Sequence, residues 1–201
     1  MKQNTFFKIL AALLGLIFLG ILIWFGSNKV KTQTSYTVSE VKTQNSCLVQ
    51  EEIRTVRGNS LEPLISSGSE IKALFSYYNC YEIKRGDLVL YRYAGDKVPL
   101  IKIAKGIPGD IFHLVKNDKG EYNLIINGEI VFNSHNMPYV FNENRYKMLS
   151  LYENDYKGII PQNAYLLLGD QANGSVDVGV FGLVDKSHII GKAIILENKN
   201  Y

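Results

Sequence analysis

From Ile9 to Gly26 the chain reads ILAALLGLIFLGILIWFG without a charged residue, and Phe6 and Phe7 carry the apolar character past Lys8. At about 1.5 Å per helical residue, this run matches a hydrocarbon core of roughly 30 Å. Trp24 stands near one end, where aromatic rings favour the membrane–water interface. The run predicts a retained transmembrane helix, with residues 1–26 forming an N-terminal anchor. The rival is a cleavable secretory leader, for which Lys2 and Lys8 would supply the basic start. That rival is the weaker one, because the run exceeds the usual apolar region of about 7–15 residues and no A-x-A exit precedes Lys29. Lys2 and Lys8 lie before the run and Lys29 and Lys31 after it, so charge alone leaves its orientation open.

The rest of the chain has a different character. Residues 27–46, SNKVKTQTSYTVSEVKTQNS, are polar, rich in Ser and Thr and without apolar period, which predicts a stalk. The remainder, 47–201, is enough for one folded domain. The 22 basic residues are scattered among 19 acidic ones for a net charge of +3, so no basic tract points to nucleic acid. Seventeen glycines and thirteen tyrosines, with few long helical periods, predict an all-β domain with many tight turns.

Within that domain CLVQEEIRTVRGNS reads as a strand ending in a bend. RGDLVLYRY and KVPLIKIAKG read as two strands of a hairpin broken by AGDK. DIFHLV and YNLIINGEIVF follow, and Asn127-Gly128 between alternating apolar residues signals a type I′ turn. AYLLLGD, the stretch from Phe181 to Val184, and IIGKAIILE are the last strands. Residues 133–160, rich in Asn, Tyr and charge, read as an inserted surface excursion with room for a short helix. Cys47 and Cys80 are the only cysteines. They lack metal-ligand spacing, and a disulfide and two free thiols remain equally open.

Ser60 lies in a bend between Gly58 and Pro63, just after a β-like run. Its hydroxyl becomes a nucleophile only if a neighbouring base takes the proton. His113, His135 and His188 have no clearly placed acidic partner in the sequence and read as structural or solvent-facing, so a Ser-His-Asp triad is not supported. Lysine can serve if its amine is neutral, and burial favours that by penalising the ammonium. In VPLIKIAKG, period-2 alternation puts Lys102 on one face with Val98, Leu100 and Ala104, while Lys105 points the other way. Lys102 is therefore the better candidate base. Asp87 and Asp110 read as turn-fixing carboxylates.

The stretch GNSLEPLISSG is similar to the Ser-Met-x-Pro box of the signal peptidase I family, and KRGDLVLY resembles that family's Arg-Gly-Asp strand. LIKIAKGIPGD resembles its lysine box, in which the four-residue step to Gly106 selects Lys102. IINGEIV, IPQNAYLLLGD, GDQANGSVD and FGLVDKSHIIGKAI match later segments in order. The resemblance covers most of residues 50–196 and implies a membrane-anchored serine endopeptidase with the family's coiled β fold. It would remove leader peptides from exported preproteins without metal or organic cofactor.

Carried over by position, Ser60 is the nucleophile and Lys102 the general base, with the Ser60 backbone N–H as oxyanion donor. Ser175 is the serine that orients the lysine amine, and Asp177 an acidic residue of the same box. The resemblance implies a single-pass protein of the bacterial cytoplasmic membrane, its catalytic domain facing the extracytoplasmic side.

Three departures bear on it. Asp177-Val178-Gly179 replaces Asp-Ser-Arg, Gln171-Ala172 stands where Asn-Arg is common, and Leu61 replaces Met. Gly58 also lacks the hydroxyl that some members place there as a second oxyanion donor. The alternatives are a specialised member that matures conjugative pilins or another narrow substrate set, and an inactive anchored peptide-binding module. Self-cleavage would need an Ala-Gly-like site before Ser60, and residues 27–46 contain none.

Overall fold

The computed structural model describes residues 48–93, 98–174 and 182–196. All lie within Asn45–Tyr201, one of the two units into which the chain divides. The expected anchor at 1–26 and stalk at 27–46 fall outside the described residues. Among the described residues no helix is long and apolar enough to cross a membrane.

In chain order the elements are β1 (Gln50–Thr55), β2 (Glu70–Phe75), β3 (Leu88–Tyr91), β4 (Leu100–Gly106), β5 (Phe112–Lys116), β6 (Tyr122–Ile126), β7 (Glu129–Ile130), β8 (Val140–Phe141), α1 (Glu143–Asp155), β9 (Ala164–Leu168), β10 (Val184–Asp185) and β11 (Ile189–Ile195). A seven-stranded sheet runs β1-β2-β11-β3-β4-β9-β10, and β5, β6 and β7 form a second sheet in which β8 also pairs with β6. All of these pairings are antiparallel.

The central strands of the larger sheet are buried on both faces, and period-2 alternation divides their side chains between two clusters. Leu88, Leu90 and Ile103 pack with Ile71, Ala73 and Leu61. Val89, Tyr91 and Ala104 pack with Leu167 and Tyr165 on the other side. Each large apolar side chain buried this way contributes about 1.5–3 kcal/mol. β4, which carries Lys102, is thus fixed from both sides. The smaller sheet closes a third cluster around Phe112, Leu124, Phe141, Ile160 and Leu166.

The turn at Asn127-Gly128 joins β6 to β7 with φ of 53° and 86°, the two positive values that a type I′ hairpin requires. Asp87 and Asp110 also fix turns, accepting the N–H of Lys84 at 3.0 Å and of Ile107 at 2.7 Å.

The domain is mostly β-sheet, as expected, and the helix for which the 133–160 excursion had room is α1, thirteen residues long. Asn142 caps this helix by accepting the Arg145 N–H at 3.1 Å. One expectation is corrected: the excursion does not lie wholly on the surface, since Tyr139, Phe141 and Leu149 are buried in the third cluster. The hairpin strand β2 was not among the expected strands, although it lies between β1 and β11.

Gly106 closes β4 where a side chain has no room. A Cβ there would meet Ile160 Cδ1 at 2.5 Å and Leu166 Cβ at 2.8 Å. Gly106→Ala is therefore expected to destabilise the domain by about 1–3 kcal/mol through overpacking, read as a lower urea midpoint for the full chain in detergent. An unchanged midpoint would contradict this account of the glycine.

Candidate active site

After β1 the chain makes a closed turn before returning as β2. The base of the turn is held by Val56 N–H donating to Ser69 O at 2.8 Å and Gly68 N–H donating to Val56 O at 2.9 Å. Leu61 and Ile65 are buried beneath it. Glu62 N–H donates to Asn59 O at 3.0 Å and Ile65 N–H to Leu61 O at 2.8 Å, so residues 59–65 form a tight coil. Gly58 enters this coil at φ +82° with no atom within 4 Å of a would-be Cβ. Glycine is needed there for its backbone conformation and not for space. Ser60, half-buried, stands at the head of the coil.

Lys102 lies in mid-strand on β4, paired with Val89 of β3, and is only 2% exposed. Its Nζ lies 2.6 Å from Ser60 Oγ and donates to it. The burial of both faces of β4 is what brings an amine into this position. A cleft of about 660 Å³ opens beside the pair, bounded by Arg54 to Gly58 on one side and Val98 to Ile101 on the other.

The two principal residues expected from the sequence are therefore in contact. Ser175 and Asp177 lie outside the described residues. The histidines stand elsewhere. His113 does have an acidic neighbour, contrary to the sequence reading: its Nδ1 is 3.1 Å from Glu153 Oε1 on α1. His188 closes a 3-10 turn beside Asp185, and the His135 backbone N–H donates to Asn133 Oδ1. Among the described residues none of the three is hydrogen-bonded to Ser60. Cys80 is disulfide-bonded, and the chain's other cysteine, Cys47, lies outside the described residues.

Asp170, which sequence reasoning passed over as a strand end, is fully buried. Its backbone N–H donates to Ser60 O at 2.8 Å, and its Oδ2 accepts the Leu64 N–H at 3.1 Å. It therefore holds the coil at both ends. Next to it, Gln171 Nε2 donates to Asn59 O at 3.0 Å, so one of the residues that departs from the family pattern also supports the turn. AYLLLGD places this carboxylate two positions past an apolar strand, where burial is costly without donors, but the donors come from distant segments and leave no local signal.

A family model described as signal peptidase, peptidase S26 matches residues 4–196. A signal peptidase IB of Staphylococcus aureus is 26% identical over 149 residues, covering 69% of this chain and 73% of its own. A signal peptidase I of Bacillus licheniformis is 29% identical over 141 residues, covering 68% and 70%. A crystal structure of a signal peptidase I from Enterococcus faecalis V583 is 21% identical, covers 58% of this chain and 97% of its own, and superposes with a TM-score of 0.39. Since the family match runs through nearly the whole sequence, the chain belongs to the signal peptidase, peptidase S26 family.

Proposed function

We propose that Ser60 and Lys102 carry the activity of this serine endopeptidase, which removes signal peptides from exported preproteins. The observation that supports the assignment is the 2.6 Å contact between a buried lysine amine and a turn serine hydroxyl. Burial disfavours an ammonium, and a neutral amine is a competent base for a hydroxyl within hydrogen-bond reach.

In the first step the neutral Lys102 amine takes the Oγ proton as Oγ bonds to the scissile carbonyl carbon. The carbonyl electron pair moves onto oxygen, where the Ser60 N–H is the proposed donor to the oxyanion. Collapse breaks the C–N bond, and the Lys102 ammonium gives its proton to the departing amine. An ester to Ser60 remains and the lysine is neutral again. Lys102 then deprotonates a water that attacks the ester, and the second collapse returns the proton to Oγ and releases the acid.

The preprotein would lie extended in the cleft, between the segment running on from β1 and the one leading into β4, pairing through backbone hydrogen bonds. Residues 1–26 would anchor the chain in the bacterial cytoplasmic membrane and 27–46 would lift the domain off its outer face. Ser175 would orient the amine, and Asp177 would be a supporting acidic residue of the same box.

A base that must be neutral gives kcat/KM a rising limb with pH. We expect cleavage of a preprotein by the full chain in detergent to increase tenfold per pH unit below the titration of one amine and then level off. A profile with no rising limb down to about pH 4 would contradict a lysine base.

A further inference from the structure

The buried carboxylate of Asp170 is met from two directions. From the nucleophile coil comes the Leu64 N–H, 3.1 Å from Oδ2. From the excursion come the Ser134 N–H, 3.0 Å from Oδ1, and the Ser134 hydroxyl, which makes a very short bond to Oδ2. The backbone of Asp170 joins the same two parts of the chain. Its N–H donates to Ser60 O, and its carbonyl accepts Asn133 Nδ2 at 2.9 Å.

Asn133 is itself buried and organises a tight turn, its Oδ1 accepting the N–H groups of His135 and Met137, both at 2.9 Å. Its N–H donates to Met137 O, also at 2.9 Å. Lys105, from the strand that carries Lys102, donates to Phe132 O at 2.8 Å at the entrance to this turn. A buried carboxylate with a donor on each side has one favourable position, because displacing it leaves a desolvated charge without a partner.

We propose that the turn Asn133–Met137 is a brace that sets the nucleophile coil through Asp170, and that Ser134 is its positioning residue. Ser134 does not act on substrate. Its hydroxyl holds the carboxylate oxygen that also receives Leu64, while the Asp170 N–H fixes the carbonyl of Ser60. The direction of Oγ toward Lys102 thus depends on a turn in the excursion, more than seventy residues further along the chain. This inference rests on the reading of Ser60 as nucleophile, so its test includes a measurement independent of cleavage.

The test uses the full chain in detergent with a preprotein substrate, comparing Ser134→Ala, Ser134→Thr and Asp170→Asn with the parent. Ser134→Ala is expected to lower kcat about tenfold, the weight of one hydrogen bond to a charged group, with KM changed less than about twofold. Ser134→Thr, which keeps the hydroxyl, restores the parental kcat. Asp170→Asn places an amide among donors and loses more.

The independent measurement is amide hydrogen exchange, in which Ser134→Ala is expected to speed exchange at Leu64 and Asp170 while the strands stay protected. Unchanged exchange at these two amides would overturn the brace, as would faster exchange throughout the domain or a threonine variant no better than alanine. Full cleavage by Ser60→Ala would instead overturn the nucleophile assignment. Local loosening at Leu64 would still report the physical link.

Discussion

Ser60→Ala is expected to lower cleavage of a preprotein at least about 10⁴-fold, a loss of about 5.5 kcal/mol of transition-state stabilisation. Oγ lies 2.6 Å from the buried amine, and with Ser60 as the proposed nucleophile its removal would remove the covalent intermediate. The fold should not suffer. The coil is held by Leu61 and Ile65 beneath it and by bonds to backbone atoms, none of which involves Oγ. Binding should survive for the same reason, since the cleft is lined chiefly by residues other than Ser60. The variant should therefore bind precursor and fail to turn it over, measured by gel cleavage together with precursor binding. Residual turnover above about 1% of the parent would assign the nucleophile elsewhere.

Lys102→Met is expected to cost about as much, because nucleophile and base act as a unit and removing either disables the first step. Methionine is the informative replacement. It is unbranched and close to the lysine stem in volume, so it fills the site between the sheet's two clusters without leaving a cavity. The variant is expected to keep the parent's stability, so that the urea midpoint separates lost activity from unfolding. The expected pair of results is a loss of at least about 10³-fold in kcat with an undiminished urea midpoint. Retained kcat would remove Lys102 from the mechanism, while a collapsed midpoint would make its role structural. Lys102→Arg tests the same point by charge. Arginine stays protonated, cannot accept the Oγ proton, and is expected to be inactive.

Much of this site could be read from the chain because its logic is local. The alternation that selected Lys102 reports a strand buried on both faces, and β3 and β4 are such strands. Asn127-Gly128 specified its hairpin because only a few residue pairs accept positive φ at both central positions. The parts that escaped depend on distant contacts. In α1 only Leu149 is fully enclosed, so the helix carries almost no apolar period. Its existence rests on the Asn142 cap and on Leu149 and Tyr152 reaching the third cluster. β2 reads EIKALF, with Ala and Lys at positions where strand propensity is weak, and its strand state comes from pairing with β1 and β11. Asp170 gathers donors from residues 60–64 and 133–134, a convergence that no local pattern encodes.

Cleavage is proposed to pass through an ester on Ser60. The most direct test is to mix the full chain with excess preprotein, quench in acid at a series of times within the first turnover, and map the digested enzyme by mass spectrometry. The leader-peptide acyl mass is expected on the fragment containing Ser60, and absent from Ser60→Ala and from Lys102→Met. A burst of released mature protein with no adduct on that fragment, or an adduct on another residue, would contradict the ester on Ser60.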